Sequence, residues 1–234
     1  NTFDAPAALS ILLPRIEAAE RANLLANAKD RFGGAYPGWY RDILYPDLVL
    51  GLDMSFHFLK LARQVRDGHL ALPVRDVGVV YRTEHADAAF PGAERVDFWV
   101  CDATALPFTD GRFDTVLSMN VLDCVPHPYV HLYELGRVAA PGATAAICTP
   151  FDWSDNAVSM GEWFGGHSDR GPHQGQPEPA LHRLFDPEQV GKGWIGLDIE
   201  RVVDDLRWRV PVHARSVMEY RVHGVVARKP RSKV

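Results

Sequence analysis

The stretch Val96–Asn120, VDFWVCDATALPFTDGRFDTVLSMN, decides how the chain reads. It holds two apolar runs, Phe98–Cys101 and Thr115–Met119, closed by Asp102 and Asn120. Runs of this length, rich in β-formers and without clean alternation, predict parallel strands covered on both faces. Pro107, Asp110 and Gly111 supply turn chemistry between them. In an open α/β sheet, ligands bind beyond the carboxyl ends of the strands. Asp102 and Asn120 are therefore expected beside a ligand.

Upstream, Leu48–Leu52 is a third such run and closes at Asp53. Ser55 is an expected N-cap for a helix with Phe58, Leu59, Ala62 and Val65 on its core face. A carboxylate at such a strand end can accept both hydroxyls of a ribose. Residues 67–95 exceed a usual connection. Val77–Arg82, VGVVYR, predicts an extra strand in an insertion at the sheet's edge. Downstream, Pro128 opens a helix with Leu132, Leu135 and Val138 as its stripe, and Pro141–Gly142 is expected to stop it. A fifth strand follows at Thr144–Cys148, ending at Thr149–Pro150. Residues 151–180 read as irregular, and Ile199–Val203 and Tyr220–Ala227 as two closing strands. At the start, residues 7–29 read as helix, broken or opened at Pro14, with Ile16, Ala19 and Leu24 as a stripe. Residues 30–46 carry Gly33, Gly34, Pro37 and Gly38 among Phe32, Tyr36, Trp39 and Tyr40. They read as a loop or short helical lid, whose aromatics cover a ligand or pack on the sheet.

Length bounds the chain to one domain of 1–234, with the lid segment at 1–46 and the insertion at 67–95. A hydrophobic content of 47% is ample for a core. A net charge of −5 argues against a nucleic-acid surface, and the basic run Arg228–Lys233 reads as a solvated tail. Cys101, Cys124 and Cys148 have no metal-ligand spacing and read as reduced thiols of a cytoplasmic protein. No apolar run approaches the ~18 residues of a membrane helix, so no membrane partner is expected. Asn1 is not an initiator methionine, so the chain is expected to lack its true start.

DATALPFTDGRFDTVLSMNVLDCVP, followed by LGRVAAPGATAAICTPFDW, resembles the second half of a class I S-adenosylmethionine (SAM)-dependent methyltransferase domain of the type 11 group. VLGLDMSFHFLKLAR resembles that family's second strand and following helix. The resemblance implies a doubly wound, mostly parallel, seven-stranded Rossmann-like sheet with an antiparallel last strand. It implies SAM as cofactor and S-adenosylhomocysteine as product. By the same resemblance Asp53 would hold the ribose, Met54 the adenine face, Asp102 and the backbone of Ala103 the exocyclic amine. Asn120 would lie near the sulfonium. The implied activity is methyl transfer to a nitrogen, oxygen or sulfur of a small polar molecule by in-line displacement. A protein or nucleic-acid acceptor is disfavoured by the acidic charge.

The chain departs from this family at one point. The Gly-rich turn D-x-G-x-G-x-G that holds the methionine end does not precede Leu48. Gly33–Gly34 does not follow an apolar strand and is a poor substitute. Either a stretch around Tyr45 is missing, or the domain is a degenerate binding module that has lost methyl transfer.

The acceptor site is expected beyond the fourth and fifth strands. Trp153, His167, Arg215 and Tyr220 are its expected lining, with His167 and Tyr220 as catalytic groups. Asp123, Cys124, Arg170, His173 and His223 are further candidates. His167, His173 and His182 match no metal motif, and no metal is expected. TPFDWS, EWFGG and DDLRWRVPVHARSVMEYRVHGVVAR are similar in order to the methyltransferase domain that N-methylates mercaptohistidine in ovothiol formation. Trp153, Trp163, Gly165, Gly166, Asp205, Arg215, Tyr220 and His223 carry that likeness, which implies a small polar substrate.

Overall fold

The computed structural model describes residues 48–87, 92–171 and 173–231. The expected N-terminal helix and lid lie outside them. The chain packs as two compact units. Of the described residues, one unit comprises those from 48 to 101 together with 211–216, the other those of 102–210 with 217–231.

In the first unit, β1 (Val49–Asp53) leads into α1 (Phe56–Arg66). Ser55 caps the helix as expected, its Oγ accepting from the Phe58 N–H at 3.4 Å. Leu59 and Ala62 are buried, and Arg63 and Arg66 occupy the last turn, where cations suit the helix dipole. β2 (His69–Val77) and β3 (Val80–Asp87) then form an antiparallel hairpin, a two-stranded sheet of its own. The segment VGVVYR is thus a correction to the single extra strand expected there. Val77 ends β2, Gly78 and Val79 turn, and Val80 starts β3. Gly78 has φ 54°, the left-handed backbone that a two-residue hairpin turn requires. β4 (Val96–Val100) runs parallel to β1, with Val49 opposite Val96 and Asp53 opposite Val100. Trp99 and Val100 are exposed, so β4 is not covered on both faces as its composition suggested. The Ala214 N–H, in a later hairpin tip, donates to the Arg75 carbonyl at 3.2 Å.

In the second unit, β5 (Phe113–Met119) pairs in parallel with β6 (Ala139–Thr149). Between them α2 (Pro128–Val138) has Pro128 in its first turn and buries Leu132, Leu135 and Val138, as the sequence indicated. The helix ends at Val138, before Pro141–Gly142, because β6 begins at once at Ala139. Its end is closed by Lys229, whose Nζ donates to the Gly136 carbonyl at 2.8 Å. A Cβ on Gly136 would lie 1.8 Å from the Ile195 carbonyl oxygen, so the helix backbone touches that segment directly. Two short helices follow, α3 (Glu178–Arg183) and α4 (Pro187–Val190). The closing hairpin is β7 (Asp198–His213) and β8 (Ser216–Arg228), both longer than expected. The sheet order is β5-β6-β8-β7, with β8 antiparallel to β6. The core gathers Leu122, Leu132, Ile147, Leu181, Ile195 and Val225. Full burial of one such side chain contributes about 1.5–3 kcal/mol.

The architecture is α/β with a mixed four-stranded sheet, a parallel pair and a hairpin. The two strands of Val96–Asn120 therefore belong to different sheets. In a doubly wound order, a first strand lies between the second and the fourth. No described strand joins the β1–β4 and β5–β6 pairs.

Candidate active site

Each parallel pair ends at polar residues. In the first unit, the Asp53 Oδ1 accepts from the Ser55 N–H at 2.6 Å. One carboxylate oxygen thus fixes the turn into α1. Met54 beside it is 68% exposed. Arg215 also belongs to this unit, exposed in the turn between β7 and β8.

In the second unit, the Asp102 Oδ1 accepts from both the N–H and the hydroxyl of Thr104 at 2.7 Å. These bonds, the backbone one foremost, hold its carboxyl below the usual range, so it is ionised at neutral pH. The carbonyl of Ala103 is taken by His131 Nδ1 at 3.0 Å.

β5 and β6 end side by side in backbone of the same unusual kind. Asn120, after β5, has φ 55°, and Phe151, after β6, has φ 53°. Asn tolerates the left-handed region, but a bulky Phe there stores about 1–3 kcal/mol of strain. The Asn120 N–H donates to the Cys148 carbonyl at 2.8 Å, and the Cys148 thiol donates to Asn120 Oδ1 at 3.4 Å. The Phe151 N–H donates to Thr149 Oγ1 at 3.0 Å. Strain of this sort concentrates at sites that do chemistry or bind ligands.

Asp123, in the turn after Asn120, bridges the two strand ends. It is 3% exposed. Its Oδ2 accepts from the Asp152 N–H at 2.7 Å, while its Oδ1 is buried with no partner. Burial is the main cause that pushes its carboxyl upward, and the Asp152 charge adds to it. Cys124 is pushed up to about 12, by burial first and then by Asp123 and Asp152.

The acceptor candidates partly converge here. The Tyr220 hydroxyl donates to Asp152 Oδ2 at 3.1 Å, and its ring stacks on Trp208 at 5.4 Å. Trp153, next in the chain, stacks on Trp163 at 6.0 Å and meets Phe164 edge-on. Its Nε1–H is buried without a partner. A Cβ on Gly166 would lie 3.5 Å from the Trp153 ring, so the glycine-rich loop passes against it. His167, Arg170 and His173 are exposed along that loop. Tyr220 is thus tied to Asp152 and Trp153 follows that acid in the chain, whereas Arg215 lies in the other unit.

His223, opposite Thr149 in the β6–β8 ladder, is buried and stacks on Phe151. Its Nδ1 meets Asp204 Oδ1 at 2.7 Å and its Nε2 meets His182 Nε2 at 3.0 Å. The carboxylate can only accept, so His223 carries a proton on Nδ1, and one proton is shared between its Nε2 and that of His182. Sequence reasoning named His182 and His223 separately and picked Asp205 rather than Asp204. Asp205 is left-handed, φ 58°, and pairs with Arg207 and Arg221. Among the described residues no cluster of three metal ligands forms.

The sequence profile of a family described as a methyltransferase domain matches residues 33–147. Over residues 33–147 the chain carries a methyltransferase domain of the kind found in class I SAM-dependent methyltransferases. The match begins at Gly33, the first of the glycine pair. Tocopherol O-methyltransferase of Arabidopsis thaliana is 40% identical over 81 residues, 35% of this chain and 22% of the relative. Norajmaline N-methyltransferase of Rauvolfia serpentina is 44% identical over 54 residues, 23% of this chain and 18% of the relative. This methyltransferase-family chain therefore spans less than a quarter of either relative's length in the matched stretch. A solved SAM-dependent methyltransferase from Aquifex aeolicus covers 97% of this chain and 100% of its own, with 17% identity and a TM-score of 0.44.

Proposed function

We propose that this methyltransferase-family chain binds SAM and catalyses methyl transfer to a small polar molecule. The observation that carries this is the pairing of left-handed Asn120 and Phe151 at the adjacent carboxyl ends of β5 and β6. The donor set fits the cofactor. Within the second unit, Asp102 is ionised for the adenine amine and Asn120 stands at a strand end for the methionine part; Asp53, in the first unit and taken by itself, is a carboxylate at a strand end suited to ribose hydroxyls. When bound, the cofactor supplies a methyl already activated on a sulfonium.

What the residues add is placement and exclusion of water. Phe151, Trp153, Trp163 and Phe164 form an aromatic wall beside the strand ends. Alignment of a bound acceptor can lower a barrier by about 7–11 kcal/mol. Tyr220, with its hydroxyl on Asp152, is positioned to orient an acceptor, and His167 on the neighbouring loop is available as a base. Relatives named for O- and N-methylation of small molecules support a small acceptor.

The absence of D-x-G-x-G-x-G before Leu48 favours a second reading, a methyltransferase-like module that binds without transfer. Calorimetry with S-adenosylhomocysteine, followed by transfer of labelled methyl from SAM to small amines, alcohols and thiols, separates the two. Binding with transfer is the expected result. Binding without transfer to any of the three classes supports the module, and no binding overturns both.

A further inference from the structure

Resting on that reading of the site, we propose that Asp123 and Asp152 hold a cationic nitrogen, so that the acceptor molecule is an amine. Asp123 is 3% exposed, and its buried Oδ1 makes no hydrogen bond of good geometry, although the Thr149 hydroxyl and its own backbone N–H lie close to the carboxylate. A buried carboxylate oxygen without a donor is costly, and native structures rarely leave one so. An asparagine would serve equally well to accept from the Asp152 N–H. The full carboxylate calls for a further donor.

Charge points the same way. Among the described residues no Lys, Arg or His side chain lies within ion-pair distance of Asp123 or Asp152. Each carboxylate raises the proton affinity of the groups around it, at Cys124 and at Tyr220 alike. Asp152 is exposed and solvated, whereas Asp123 beside it is buried and has no cation at hand among the described residues. An ammonium brings both the charge and the N–H donor that Asp123 Oδ1 lacks. Tyr220, hydrogen-bonded to Asp152, and Trp153, next to it in the chain, are each stacked on one further ring and bring aromatic surface near the acid for a cation. The buried Trp153 Nε1–H lacks an acceptor, which an oxygen on the same small molecule would supply.

The test is ligand-observed NMR and calorimetry on the full chain. The probes are tyramine, tryptamine and ethanolamine beside their neutral counterparts tyrosol, tryptophol and ethylene glycol. At least one amine is expected to bind tenfold or more tightly than its alcohol. Asp123→Asn, which keeps an acceptor for the Asp152 N–H, is expected to remove that preference while its circular dichroism and melting temperature stay near those of the wild type. Asp152→Asn is a second variant, needed if Asp123→Asn fails to fold. The proposal is overturned if no amine outbinds its alcohol, or if the preference survives both substitutions. S-adenosylhomocysteine is titrated in parallel. Amine preference without its binding sinks the methyl-transfer reading alone, and its binding without amine preference sinks this proposal alone.

Discussion

The Ser118 hydroxyl donates to Nε2 of His131 at 2.8 Å, and both residues are buried. The Ala103 carbonyl can only accept, so His131 carries its proton on Nδ1 and takes one from Ser118 on Nε2. One imidazole thereby ties β5, α2 and the turn after Asp102. Burial holds its pKa down, which keeps it in the neutral form this bonding needs. His131→Leu should cost about 1–3 kcal/mol, the penalty for leaving partners unsatisfied. In urea unfolding, Ser118→Ala should then cost less in the His131→Leu background than alone. Strict additivity of the two would show that the bond is incidental.

His182 gives the chain a pH dependence of known sign. Burial, then the neighbouring His223, depresses its pKa, with Asp204 and Glu178 pulling the other way. Between that depressed value and about 6.5, the unfolded chain binds the extra proton and the folded one does not. The contribution is complete above pH about 6.5 and shrinks as pH falls through that window. His182→Gln keeps a donor for His223 but cannot titrate there. The stability difference between wild type and this variant should narrow or reverse on acidification, as read by denaturation midpoints. A pH-independent difference would remove His182 from the account.

Asp53→Ala should weaken S-adenosylhomocysteine by about 1.5–3 kcal/mol, the range for hydrogen bonds to a charged group. The same change deletes the bond to the Ser55 N–H, so α1 should also loosen slightly. Calorimetry at matched folded fraction separates the two effects. Unchanged affinity would leave Asp53 as a turn former only.

Cys124, with its pKa pushed to about 12, should resist alkylation at neutral pH. Relative to a free thiol near 8.5, its thiolate is roughly 3,000-fold scarcer. Asp123→Asn removes one of the charges responsible and should speed iodoacetamide labelling of Cys124, followed by peptide mass spectrometry. Cys124 is itself exposed, so labelling as fast in the wild type as in a free cysteine would show that the Asp123 and Asp152 charges do not hold its thiol protonated.

What the sequence disclosed was whatever local chemistry decides. Ser55 caps because a hydroxyl sits before an apolar stripe, and Pro128 opens α2 because a first turn needs no N–H from it. Asp53, Asp102 and Asn120 stand at strand ends, since apolar runs stop where the polar residue begins. Long-range partners were not legible. His131 reads as a polar residue on a helix, and only Ser118 and Ala103, far along the chain, make its burial tolerable. Asp204 rather than Asp205 meets His223 because Asp205 turns left-handed and breaks the strand's alternation. The separation of β4 from β5 was equally hidden, since apolar composition names a strand but not its neighbour.

Gly136 sets a limit on how this molecule can diverge. With the Ile195 carbonyl 1.8 Å from where a first side-chain carbon would sit, even alanine forces α2 away from the segment it packs on. The exposed loop around His167 and Arg170 has room for other side chains, but that helix seat does not. A glycine at the position of Gly136, before an Arg137 that clamps Glu134 and the Leu106 carbonyl, is thus a fingerprint for tracing descent, independent of any change in chemistry.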